Sequence, residues 1–284
     1  MKFLRILSLF ILFTACAFAG NISTLERIEN TGKIRVGLRD NLYPFSFTDE
    51  KGRFRGFAYD IASLFNEKLS QHLNKKIEMI PVKITTQNRF EYVLNDKIDI
   101  EIGSTSYSFK REELVDFSII YFFSETSILA YSQKINNITD LNNKIIGVTK
   151  NTTNEESLLK FLKENNISPS KIVYLNEHFD SVENLKNKEI DAFCSDRTIL
   201  YGVKKILNSE NFIILNTPIG YEPYAFMMKE NNSDFRDFVN NFIVWMVKTG
   251  KYFEIYEKWF DKAPVSPFLK NYFSVISYDL PENW

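Results

Sequence analysis

Two hydrophobic periods alternate along this chain, and that alternation constrains its fold more than any other feature. Short runs with apolar residues at every second position give way to longer stretches with apolar residues every three or four positions. The first period suits a strand and the second a helix. Strands that alternate with helices pack as a mostly parallel sheet with helices over its faces, the α/β class. Residues 33–38 place Ile34, Val36 and Leu38 on one face of a strand. Phe57, Ile61, Leu64, Phe65, Leu69 and Leu73 follow at helical spacing, and 77–82 reads as the next strand. A short helix is expected over 88–95, and 98–102 alternates again. A second α/β unit begins near residue 128, with strands at 144–149, 171–175, 190–194 and 212–215. Helices are expected from Thr152 to about Glu164 and over 181–185; Thr152 and Glu155 have the spacing of a capping box. A last helical region starts after Ser233, breaks at Gly250 and resumes at Tyr252. The tail after Pro264 holds two more prolines and is expected to be irregular.

The N-terminus has the order of a secretory signal. Lys2 and Arg5 precede an apolar run from Ile6 to Ala15, and Ala17-Phe18-Ala19 supplies small residues before Gly20. The run is shorter than the about 20 residues a membrane-spanning helix needs, so residues 1–19 are expected to be cleaved on export. A lipoprotein anchored at Cys16 ranks second, because Phe13 fits poorly three positions before such a cysteine. Cleavage after Ala19 removes Cys16 and leaves Cys194 alone, so no internal disulfide is expected. Cys194 lies in an apolar run and reads as a small buried hydrophobe. The formal net charge is −1, which gives no basic patch for nucleic acid.

Nucleotide-binding glycine loops, nucleophile elbows and metalloprotease motifs are absent from the sequence. His72 and His178 are far apart, and no metal or cofactor is expected. Polar residues instead cluster just past the carboxyl ends of the expected strands, where parallel α/β sheets present ligands. Arg39 follows the first strand. Thr85, Thr86 and Arg89 follow the second, and Ser104, Thr105 and Ser106 follow the third. Thr152 and Thr153 follow the strand ending at Thr149, and Asp196 follows 190–194. Hydroxyls, arginines and helix N-termini favour anions, and Asp196 suits an ammonium. Each also has a structural role open to it: Thr152 and Asp196 as helix caps, an arginine as a surface ion-pair partner, and His178 as a buried structural group. Asn166, in Asn166-Ile167-Ser168, fits a glycosylation acceptor but reads first as a polar helix end.

At these positions the sequence resembles the family 3 extracellular solute-binding proteins of ABC importers. The resemblance covers about residues 24 to 262. It rests on Gly32-Lys33-Ile34-Arg35-Val36-Gly37, Tyr43-Pro44-Phe45-Ser46-Phe47, Gly56-Phe57-Ala58-Tyr59-Asp60, Lys110-Arg111 leading to Asp116-Phe117-Ser118, Asp140-Leu141, Asp191-Ala192-Phe193 and Lys258-Trp259-Phe260. Within the family the chain is most similar to the glutamate/aspartate-binding branch, through Ile84-Thr85-Thr86-Gln87-Asn88-Arg89, Glu101-Ile102-Gly103-Ser104-Thr105-Ser106 and Glu177-His178-Phe179-Asp180-Ser181.

The resemblance implies a two-lobed periplasmic binding protein of the type II fold. Residues 20–127 and 222–284 would form one lobe and residues 128–221 the other, joined by two hinge strands. It implies that Arg111, Ser104 and Ser106 hold a ligand α-carboxylate and that Arg39 and Arg89 face a side-chain carboxylate. Thr86, Thr152, Thr153 and His178 would add hydrogen bonds, and Asp196 would take the α-ammonium. The implied protein is a periplasmic monomer that closes on an acidic amino acid and delivers it to a permease with a separate ATPase. A dehydratase-like enzyme on the same fold, or a binder of another polar amino acid such as glutamine, is the alternative. Three departures stand out: Asn151 replaces a common glycine before Thr152-Thr153, Ser106 stands where the branch often has a threonine, and Arg197 follows Asp196 where a second acid is common.

Overall fold

The computed structural model describes residues 22–260 and 265–277. The expected signal, its cleavage site and Cys16 lie outside the described residues. In chain order the elements begin α1 (Thr24–Thr31), β1 (Lys33–Arg39), β2 (Asn41–Leu42), β3 (Ser46–Thr48), β4 (Phe54–Arg55), α2 (Phe57–His72), β5 (Glu78–Ile84), α3 (Arg89–Leu94), β6 (Ile100–Glu101), α4 (Phe109–Glu112) and β7 (Asp116–Tyr131). They continue, after a short 3₁₀ turn, with β8 (Ile145–Thr149), α5 (Thr153–Glu164), β9 (Lys171–Leu175), α6 (Asp180–Lys186), β10 (Ala192–Asp196), α7 (Arg197–Leu207), β11 (Phe212–Ile214), β12 (Gly220–Met228), α8 (Ser233–Lys248), α9 (Lys251–Phe260) and α10 (Pro267–Ile276).

The main sheet runs β5-β1-β6-β12-β7-β10-β8-β9, with β11 added on β7. β1 is parallel to β5 and β6, and β8 is parallel to β9 and β10. Two long strands separate these parallel groups. β7 pairs antiparallel with β12 from Asp116↔Met228 to Thr126↔Gly220, then continues against β10 and β11. The carboxyl ends of β1, β5 and β6 therefore meet those of β8, β9 and β10 over the middle of the sheet, the usual place for a ligand crevice.

Helical periodicity decides which faces are buried. α2 buries Phe57, Ile61, Phe65 and Leu69, and Phe65 packs edge-on against Phe242 of α8 at 5.1 Å between ring centroids. Phe57 meets Phe122 of β7 at 5.7 Å and Phe260 of α9 at 5.1 Å. Such pairs add roughly 0.5–1.5 kcal/mol beyond the area they bury. Phe65 is thus a core residue, and Tyr59 stacks on Phe54. Around β8 and β10, Ile146, Val148, Leu158, Leu162 and Cys194 form a second core; Cys194 is fully buried, as expected. Gly250 takes φ +79 between α8 and α9, a left-handed turn that ends the first helix. Among the described residues no helix is long and apolar enough to cross a membrane.

Three expectations need correction. Residues 98–102 contribute only the two-residue β6, and their alternation does not expose the acids: Asp99 and Glu101 are both buried. Asp99 is neutralised by Arg27 at 2.7 Å and by Arg35. The described part of the tail is helical over Pro267–Ile276, because the Ser266 hydroxyl accepts from the Leu269 N–H at 3.2 Å and Pro267 stands in the first turn. A proline there starts a helix instead of breaking one. The capping box at α5 is half formed: the Thr152 hydroxyl accepts from the Glu155 N–H at 3.2 Å, but Glu155 receives the Asn151 N–H at 2.6 Å instead of that of Thr152.

Candidate functional site

The crevice is built by the segments that leave the strands. β1 ends on Arg39. After β5, the Thr85 N–H donates to Asn88 Oδ1 at 2.8 Å and the Asn88 N–H to Thr85 Oγ1 at 3.1 Å. This reciprocal pair starts α3 with Arg89 in its first turn. After β6, the loop from Gly103 to Ser106 is pinned to β12 by the Ala225 N–H on the Thr105 carbonyl at 3.1 Å and the Tyr107 N–H on the Pro223 carbonyl at 2.7 Å. The Ser108 hydroxyl caps α4, and Arg111 turns back to donate from Nη1 to the Ser106 carbonyl at 2.7 Å. Across the crevice, Asn151 has φ +59 and makes the left-handed turn that a glycine makes elsewhere. Asp180 accepts the Glu177 N–H at 2.9 Å and fixes the loop that carries His178.

Of the ten residues singled out by sequence, Arg39 and Thr86 are joined through Glu177, Arg111 bonds to Ser106, and Ser106 and Thr153 are joined through Glu222. Arg39, Thr86, Arg89, Ser104, Ser106, Thr152, His178 and Asp196 are buried, while Arg111 and Thr153 are half-buried. The arginines stand close enough to depress one another. Burial, more than its neighbours, lowers Arg39 to about 10; burial and then Arg89 lower Arg111 to about 10. At about 10, Arg39 and Arg111 remain cations at neutral pH; burial lowers Arg89 as well. The ring of Phe90 is shared by Arg89 and Arg111, whose Cζ atoms lie 5.6 and 5.5 Å from its centroid. Arg89 donates from Nη1 to Thr105 Oγ1 at 2.9 Å, and its Nε has no partner among the described residues. His178 Nδ1 lies 3.0 Å from Ser195 Oγ and 3.2 Å from Thr149 Oγ1. Burial, then Arg39 and Arg89, push its pKa well below the usual histidine range, so it is a neutral imidazole.

The opposite pole is acidic. Asp196 begins α7 without capping it; its Oδ2 accepts from Asn154 Nδ2 at 2.9 Å, and the Tyr224 hydroxyl faces the carboxylate from β12. Burial, then the Glu222 carboxylate, raise Asp196 to about 7. Glu222 is fully buried and accepts hydroxyls from Ser106, from Thr126 at 2.7 Å and from Thr153 at 2.6 Å. No basic side chain forms an ion pair with Asp196 or Glu222 among the described residues. Thr152 commits its hydroxyl to its cap and, as a donor at 2.6 Å, to the Thr149 carbonyl. Arg197 turns away from the crevice to Glu125 at 3.1 Å and the Leu215 carbonyl at 3.0 Å.

Sequence reasoning missed Glu101, Glu177 and Glu222. Glu101 has the regular alternation of a surface residue, yet it is buried beside Arg89. Glu177 adjoins His178, which is the only signal it gives. Glu222 lies on β12, a strand the hydrophobic periods do not reveal. No group of three or more histidine, cysteine or acidic side chains suits a metal among the described residues. Guanidiniums face two carboxylates that lack cations, a charge separation that fits a zwitterion.

Residues 34–262 match the bacterial extracellular solute-binding proteins, family 3. The chain belongs to this family. A glutamate/aspartate import solute-binding protein of Salmonella typhimurium is 31% identical over 250 residues, 86% of this chain and 82% of that protein. A glutamine-binding protein of Geobacillus stearothermophilus is 30% identical over 72% of this chain and 75% of its own. Among solved structures, an ancestral arginine-binding protein bound to arginine superposes with a TM-score of 0.72 at 27% identity, covering 81% of this chain and 98% of the other. These likenesses fit the sheet order described above, and the fold is that of the type II periplasmic amino-acid-binding proteins.

Proposed function

We propose that this family member is the periplasmic binding component of an ABC amino-acid importer, exported by removal of residues 1–19, and that it captures an acidic amino acid. Residues 20–127 with 222–284 act as one lobe, residues 128–221 as the other, and β7 and β12 as the hinge strands. The carrying observation is the crevice charge: buried Arg39 and Arg89 with half-buried Arg111 on one side, and buried Asp196 with Glu222 on the other. Arg111 and the Ser104–Ser106 loop receive the α-carboxylate, Asp196 the ammonium, and the arginines the side-chain carboxylate. Thr86, Thr153 and His178 line the same space. A ligand that bonds to both lobes favours the closed form by its differential affinity for that form. Each charge-assisted bond contributes roughly 1.5–3 kcal/mol. The protein acts as a monomer and hands its cargo to a permease driven by a separate ATPase.

Titration calorimetry with aspartate, glutamate, glutamine, asparagine and succinate tests this. Aspartate or glutamate should bind most tightly and succinate, which lacks the ammonium, far less. Arg111→Ala should cost about 2–5 kcal/mol of binding, since it removes one member of a buried charge pair. Absence of heat and of any melting shift with both acidic amino acids would sink the assignment. Two other readings each have one observation in their favour. Glutamine is favoured by Glu177, which already accepts from Arg39. A dehydratase-like enzyme is favoured by Glu222, a carboxylate in the crevice that the strand ends do not reveal. Conversion of a prephenate-like substrate would establish the enzyme; none is expected, because Glu222 is engaged by hydroxyl donors.

A further inference from the structure

Glu177 sits within the arginine cluster, on the loop after β9. Its Oε1 accepts the Thr86 N–H at 3.0 Å, and its Oε2 accepts the Thr86 hydroxyl at 3.0 Å and Arg39 Nη2. All three donors come from the opposite side of the crevice. The Glu177 side chain is 23% exposed and that of Arg39 only 3%, so the acid reaches inward from the crevice edge. The loop is held for this reach. Its N–H is fixed on Asp180, and the Gln87 amide binds the neighbouring Asn176 carbonyl at 3.2 Å. Arg39 Nη1 stays buried without a partner among the described residues. Arg89 and Arg111 differ: their hydrogen bonds go to a hydroxyl and to a carbonyl, with no carboxylate in ion-pair range among the described residues.

We infer that Glu177 determines specificity: its carboxylate fills the Arg39–Thr86 end of the crevice, competes there with the side-chain carboxylate of a ligand, and leaves that charge to Arg89. This rests on the acidic amino-acid reading. Two carboxylates at one guanidinium repel each other, whereas a side-chain amide can donate its N–H to Glu177. Glu177 thus narrows the preference for glutamate over glutamine that three arginines alone would give.

Calorimetry on the wild type, Glu177→Gln and Glu177→Ala with glutamate, aspartate and glutamine at pH 7.5 decides the matter, with melting temperatures to confirm folding. Both variants should raise the glutamate-to-glutamine affinity ratio at least tenfold. A ratio within twofold of the wild type in both variants, or weaker glutamate binding in both, overturns the inference. If the wild type binds glutamine but no acidic amino acid, the acidic reading falls. The inference then stands if Glu177→Gln gains glutamate binding and falls if it does not.

Discussion

Asp196 carries the clearest pH signature of any single residue. Its carboxyl is raised to about 7 by burial first and by Glu222 second, against an unfolded value near 3.9. Glu222 and Tyr224 face it from β12, Asn154 from α5, and Arg89 and Arg111 act on it from across the crevice. Between about pH 4 and pH 7 the folded protein holds a proton that the unfolded chain has released. The stability that Asp196 contributes is therefore fully present below that window and is lost as pH rises through it, by up to about 1.4 kcal/mol per pH unit. Melting curves from pH 4.5 to 7.5 should show this decline, and Asp196→Asn should flatten it. Ligand binding has the opposite sign, because an ammonium prefers the ionised carboxylate. Affinity should improve as pH rises to about 7 and level off above it. An Asp196→Asn protein with unchanged affinity and pH profile would remove Asp196 from the ammonium site.

At the scale of elements, α10 is the most instructive. It lies over β7 and α9 through Leu269 and Phe273, both buried. Phe273 meets Tyr252 edge-on at 4.9 Å and Phe253 at 6.4 Å, while the Tyr272 hydroxyl accepts the Ile120 N–H of β7 at 3.3 Å. Phe273→Ala should lower the unfolding free energy by about 3–5 kcal/mol, read as a lower denaturant midpoint with the same slope. A loss below 1 kcal/mol would mean that α10 packs loosely. The proline-rich sequence hid this helix, because a proline's effect depends on whether a capping residue precedes it. β6 errs the other way. A strand pattern extended over 98–102, but only two residues found a ladder, and the buried acids were answered by arginines distant in sequence.

The molecule as a whole depends on how closely its two sides approach. A largely continuous apolar cluster joins Leu42, Phe45 and Phe57 to Phe179, Leu200 and Val203. Glycine is required where α7 presses on the turn after β2: a Cβ on Gly202 would lie 2.4 Å from the Tyr43 carbonyl oxygen. Gln87 and Asn151 clasp the crevice edge, with Asn151 Nδ2 donating to Gln87 Oε1 at 2.9 Å. Gly202→Leu should hold the two sides apart. Small-angle scattering should report a larger radius of gyration with ligand present, and ligand affinity should fall at least tenfold. Closure to the wild-type radius would show that α7 yields without cost.

Periodicity along the sequence determined the strand and helix order around the crevice, because burial of one face is a local pattern that each segment carries itself. It also placed Arg39, Arg89 and Asp196 at strand ends, where a parallel sheet presents ligands, whereas Arg111 was indicated only by the resemblance to the family. Only the tertiary structure decided the crevice's charge balance. Glu101, Glu177 and Glu222 look like surface acids in sequence, yet Glu101 and Glu222 are buried and Glu177 reaches inward, with partners as distant as Arg39 and Ser106. A carboxylate's environment is set by which donors the fold brings within hydrogen-bonding distance, and no spacing along the chain encodes that.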